Sequence, residues 1–270
     1  MHTLKLVLIL FTIGVFTSCN SSEKKKVIDP IVLEDTASEI VKNPNTLSAS
    51  EKIINEAIAA HGGDLYNSAN YSFVFRKNIF QFKNDGSKYK YTKTYKKGDS
   101  IIVDVLNNGK FSRTVNGKVV SLSEKAIATG TGAVNSVIYF ATLPYKLSDK
   151  AVHSKLIEEI SIKGEMYNAI QVTFSEAGGG EDHDDEYMYW INTKTKKVDY
   201  LAYNYRVNDG GVRFRVGYNK RVVDGITFQD YINYEAAVGT PLKDLPELFE
   251  ANTLKELSKI KTENVINLNK

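Results

Sequence analysis

The sequence holds one cysteine, Cys19, in 270 residues. A single cysteine excludes a disulfide framework. Histidine is nearly as scarce, with His2, His61, His153 and His183 as the four. An excess of one charge is also lacking: the formal net charge is +3, and one of those charges is Lys5 in the leader described below. A chain this close to balance implies neither a nucleic-acid partner nor a strongly acidic substrate. After the first residues, no apolar run approaches the roughly 20 residues that a spanning helix needs. No P-loop, nucleophile elbow or HExxH helix is present, and Gly130-Thr131-Gly132 lacks the third glycine and the βαβ setting of a dinucleotide loop.

What is there begins at the amino terminus. Lys5 precedes an apolar run from Leu6 to Val15, broken only by Thr12 and Gly14, and Thr17 and Ser18 follow. A positive start, an apolar stretch of about 7–15 residues and small residues at its end describe a secretory signal. Phe16-Thr17-Ser18-Cys19 resembles the lipobox of bacterial lipoproteins, with Phe16 in place of the usual leucine. That resemblance implies acylation of Cys19, cleavage after Ser18, and no free thiol to act as a nucleophile. Buried acyl carbons contribute about 0.8 kcal/mol each, so several chains on one cysteine anchor stably. Residues 1–18 are thus expected to be a signal peptide, and 19–47, polar and aperiodic with Pro30 and Pro44, a lipidated tether.

The period changes after that. Ser48 and Glu51 fit a capping box ahead of an apolar stripe of Ile53, Ile54, Ala57 and Ile58, and Gly62-Gly63 ends this helix just after His61. From Tyr71 the alternation is of period two, punctuated by Asp85-Gly86, Asn108-Gly109, Asn116-Gly117, Lys163-Gly164, Asp209-Gly210 and Asp224-Gly225. Such pairs between alternating runs mark hairpins. About 11 strands are expected, the first over 70–82 and the last over 226–235, mutually antiparallel. Residues 123–140 read as a helix, or two short ones, that interrupts them, and short helices are expected over 242–250 and 253–261 before a polar, frayed tail. The fold class is α+β, mostly antiparallel: a domain over 48–250, then a C-terminal helix and tail over 251–270.

The order of helix, strands, helical plug, strands and short helix over 48–250 resembles the lipoprotein-carrier fold of LolA and LolB, an open antiparallel half-barrel. His61-Gly62-Gly63, Leu143 to Leu147 and Gly178 to Ile191 resemble segments of uncharacterised Bacteroidetes lipoproteins. The resemblance implies a curved half-barrel that encloses acyl chains, and no catalytic residue. Fold alone does not give function.

Two clusters are candidates for chemistry. Glu181, Asp182, His183, Asp184, Asp185 and Glu186 place five carboxylates and one imidazole side by side. Carboxylates suit Ca²⁺, and a histidine adds affinity for Zn²⁺. In an extended chain Asp182, Asp184 and Glu186 point one way, His183 and Asp185 the other. The plainer reading is a solvated acidic loop. Arg206, Arg213 and Arg215 would bind an anionic head group or pair with that loop, or else form a wet strand face, since Val212, Phe214 and Val216 alternate with the last two. His61 is either a cation on the helix dipole or a ligand-site residue. The leading expectation is a monomeric, non-catalytic lipoprotein of the outer membrane, facing the periplasm, that holds a lipid or other apolar ligand and needs no cofactor. A metal-dependent hydrolase or metal-binding protein centred on 181–186 and an accessory protein-binding lipoprotein are the alternatives. The leader is tested by expressing the chain with Cys19→Ser: incorporation of radiolabelled palmitate should be lost and the protein should leave the membrane fraction, whereas unchanged labelling would contradict acylation at Cys19.

Overall fold

The chain divides into two units, Met1–Pro44 and Asn45–Lys270. A computed structural model describes residues 47–175, 185–206 and 209–270, all within the second unit. Helix α1, Ala49–His61, starts as its sequence dictates. The Ser48 hydroxyl accepts from the Glu51 backbone N–H, and the Glu51 carboxylate accepts from the Ser48 N–H at 2.6 Å. The helix stops at Gly62, whose φ of 147° and close approach to Ile226 leave little room for a side chain.

Seven antiparallel strands build a first sheet: β1 Asn70–Phe75, β2 Asn78–Asp85, β3 Lys88–Lys97, β4 Ser100–Asn107, β5 Lys110–Val115 and β6 Lys118–Val119, with β14 Glu263–Asn267 beside β1. A second sheet runs from β7 Val152–Ile162 through β8 Glu165–Phe174, β9 Tyr187–Asn192, β10 Val198–Tyr205, β11 Gly211–Val223 and β12 Ile226–Ala236 to β13 Lys255–Ile260. Between β13 and β14 the chain therefore steps from the second sheet to the first. Helix α2, Glu124–Ala141, capped by Ser123, joins β6 to β7 and so connects the outer edges of the two sheets. The expected antiparallel architecture with a helix across it takes this form, as two open sheets and α2.

Three expectations are corrected. The single strand over 70–82 is a hairpin turning at Arg76-Lys77, with φ of 48° and 69°. No Gly or Asn announces this turn, and two left-handed residues cost about 1–2 kcal/mol each. The stacked pair Phe73–Phe80 and the edge contact Phe75–Phe80 hold the hairpin closed. The helix expected over 253–261 is strand β13, and the tail expected to be frayed contains β14. Their backbone groups complete the open edges of β12 and β1, with Tyr231 opposite Ile260 and Tyr71 opposite Asn267. Ladder pairing with a waiting edge outweighs a weak local helix pattern. Among the described residues there are fourteen strands, where about 11 were expected.

The two sheets differ in burial. All six residues of β9 are buried. On one face Tyr187, Tyr189 and Ile191 pack with α1, Leu201 of β10, and Tyr139 and Phe140 of α2. On the other, Met188 and Trp190 pack with Val212 and Phe214 of β11 and with Leu245, Leu248 and Phe249 of the short helix α3, Leu245–Glu250. In the first sheet Phe73, Phe80, Phe82, Tyr91 and Leu106 form the core with Val134 and Ile138 of α2, and Ile226 and Phe228 of β12 join them. A register break between Tyr218 and Arg221 bends β11 on its way there. Phe214 is 0% exposed beneath Phe249, with ring centroids 5.5 Å apart. Phe214→Ala should therefore cost about 3–5 kcal/mol in urea unfolding; a loss within about 0.5 kcal/mol, as for a surface position, would show that α3 does not seal this face.

Candidate functional site

A cleft of about 350 Å³ opens between α2 and the face of the second sheet that α2 covers. Ser136, Val137 and Phe140 line it from one side of the helix. Tyr187 of β9, Tyr203 and Tyr205 of β10, and Arg213 and Arg215 of β11 line it from the sheet, and Asp185 lies just ahead of β9. The register explains this grouping: Tyr203 is paired with Tyr187 on one side and with Arg213 on the other, so the three form a row across the sheet. Tyr187 and Tyr203 stack at 5.6 Å, and Phe140 meets Tyr203 at 5.5 Å. Gly211 makes room for Tyr205, because a Cβ there would collide with the phenol ring.

The cations are held tightly. The Arg215 guanidinium lies 3.8 Å from the centroid of Phe140 and donates from Nη2 to the Tyr203 hydroxyl at 2.8 Å. Its Nε is buried and donates to no atom among the described residues. Arg213 donates to the Tyr205 hydroxyl and to the Val212 carbonyl, and lies 4.0 Å from Glu235. Deeper in the same face, the Tyr139 and Tyr189 hydroxyls share a hydrogen bond at 2.6 Å, and burial pushes both phenols well above their ordinary range. This arrangement can grip an aromatic or aliphatic body with its rings and an oxyanion with its guanidinium groups.

The candidate residues are distributed unevenly around this cleft. Arg213 and Arg215 come together in it, on the covered face and not on a wet one, while Arg206 is exposed and does not line it. Asp185 lines the cleft. Glu186 turns the other way, as alternation requires, and its carboxylate accepts from Gln171 and from Asn204. Cys19, Asp182, His183 and Asp184 lie outside the described residues, among which no group of three His, Cys, Asp or Glu side chains could hold a metal ion. His61 is no ligand of the cleft: it is 1% exposed, and its Nδ1 hydrogen-bonds the Ala57 carbonyl at 2.8 Å. Burial, with Lys197 and Lys220 adding repulsion, lowers its pKa to about 4, so it is neutral at pH 7 and does not serve as a cation on the helix dipole. His153 of β7 hydrogen-bonds Ser175, just past the end of β8. No motif marks Phe140 and the three tyrosines in the sequence; strand register and the placement of α2 gather them here.

Residues 5–262 match the model of a family of unknown function, DUF6503. The chain belongs to that family. None of the curated proteins matches it. Among solved structures it is similar to a LolA superfamily protein of Nitrosomonas europaea, at 12% identity and a TM-score of 0.49, covering 81% of this chain and 93% of that one. It is also similar to an outer membrane lipoprotein-sorting protein domain of Vibrio parahaemolyticus, at 9% identity and a TM-score of 0.44, with 81% and 92% covered. A DUF1329 family protein of Desulfovibrio piger follows at 10% and 0.39, with 82% and 94% covered.

His61 yields a pH dependence. Its unfolded pKa of 6.5 exceeds its folded value of about 4, so the unfolded chain binds the extra proton between these values. Stability from this group is complete above pH 6.5 and falls as the pH drops toward 4. Between pH 7 and pH 5 the loss should be about 2 kcal/mol in urea unfolding. His61→Gln should remove that part of the slope; an equal slope in the variant would contradict a neutral, buried His61.

Proposed function

We propose that this chain is an exported, lipid-anchored binding protein of the cell envelope that holds an apolar or amphiphilic ligand and performs no chemistry on it. The observation that carries this reading is the ring-lined cleft beside α2. Ligand sites are concave, mostly apolar, and begin at about 300 Å³, with a few polar groups that fix orientation. Phe140, Tyr187, Tyr203 and Tyr205 supply the apolar walls, and the two arginines supply the polar groups. The envelope address rests on Lys5, the apolar run and Cys19, which would place the domain at the outer membrane on its periplasmic side.

The test is native mass spectrometry of the full chain carrying Cys19→Ser, with decanol as the added probe. One molecule per chain should bind, and Val137→Trp, which fills the cleft from the helix side, should weaken binding about tenfold or more. If neither a co-purified amphiphile nor decanol binds, the binding-protein reading fails.

A further inference from the structure

The basic side chains that cross the sheets are not equivalent. Arg113 forms a two-point ion pair with Asp104, Arg221 pairs with Asp230 at 3.2 Å, and Arg213 has Glu235 at 4.0 Å. Arg215 is more deeply buried than any of these, at 8% exposed, yet has no carboxylate within ion-pair distance among the described residues. A buried cation is kept where something compensates it. Stacking on Phe140 and one hydroxyl partner compensate only in part, and the Nε–H is left over. The side chain lines the cleft, whose charged walls among the described residues are Arg213, Arg215 and Asp185.

We propose that Arg215 recognises the oxyanion head of the ligand. The cleft then selects an amphiphile with one anionic group, a carboxylate or a phosphate monoester, whose apolar body lies against Phe140 and the tyrosine row. A guanidinium suits this task because its planar donors match two oxygens at once. Arg213, partly satisfied by Glu235 and Tyr205, raises the local positive potential. Tyr203 is a positioning residue: it holds the guanidinium flat against Phe140. This inference rests on the binding reading above and adds the charge of the head group to it.

The experiment is calorimetric titration of the full chain carrying Cys19→Ser with decanoate, decyl phosphate, decanol and decyltrimethylammonium. One of the two anions should bind about tenfold tighter than decanol, or more, and the cation should bind worst. The stronger of the two identifies the head as carboxylate or phosphate. In Arg215→Gln, checked for folding by circular dichroism, the ratio of anion affinity to decanol affinity should fall to about one. Arg215→Lys should recover it only in part, since an ammonium is not a fork. If decanoate and decyl phosphate bind no better than decanol, the inference is overturned and the apolar cleft stands. If none of the four binds, the cleft reading falls too. The ligand series on the chain with Arg215 intact decides the matter even if the variants misfold.

Discussion

A strand covered on both sides has no wet face, and the centre of the second sheet, around β9, is under that constraint. Every residue of β9 is buried, so each strand around it must place something on two interiors. On β11 the apolar half, Val212 and Phe214, meets Trp190 and α3. The charged half, Arg213 and Arg215, is thereby forced inward beneath α2. Alternating strands usually put such charges in water. Here α3 occupies the side where solvent would have been, and the arginines become the polar groups of a cleft.

The energetic consequence can be weighed. Taking a cation out of water costs several kcal/mol per ion after relaxation. Stacking on an aromatic ring returns about 0.5–2 kcal/mol, and a hydrogen bond involving a charged group about 1.5–3 kcal/mol. Arg215 has the stack on Phe140 and the bond to Tyr203. Among the described residues these sums leave it near balance or short of it, which is the basis for the anionic partner proposed above. Arg113, closed against Asp104 by two bonds, shows what a self-contained arginine looks like in the same fold.

Much of the framework was legible in the residues. Ser48 with Glu51, and Ser123 ahead of 124–141, mark the helix starts because their hydroxyls satisfy backbone donors that no helix can satisfy itself. Asn108-Gly109, Asn116-Gly117 and Asp224-Gly225 mark turns because both positions adopt positive φ. Arg76-Lys77 adopts the same turn without those residue types, under the demand of the phenylalanines around it. Strands β13 and β14 leave little mark in the sequence because each is stabilised by a waiting edge elsewhere, β14 by β1, which lies nearly two hundred residues before it. The two faces of β11 were readable, but not which one lies inward, since that depends on where α3 packs. The cleft was not legible for the same reason: it exists only because α2 packs over one face of β9, β10 and β11 and α3 over the other.

The claim on which the account turns is that Arg215 sits under α2 and meets what enters the cleft. Arginine Nε–H resonances, followed by ¹⁵N-edited magnetic resonance on the full chain with Cys19→Ser, test it directly. The resonance that disappears in Arg215→Lys should shift when decanoate or decyl phosphate is added, while those of Arg113 and Arg221 stay in place. A shift confined to the exposed Arg76 or Arg206, or no arginine shift under conditions where the amphiphile binds, would contradict it.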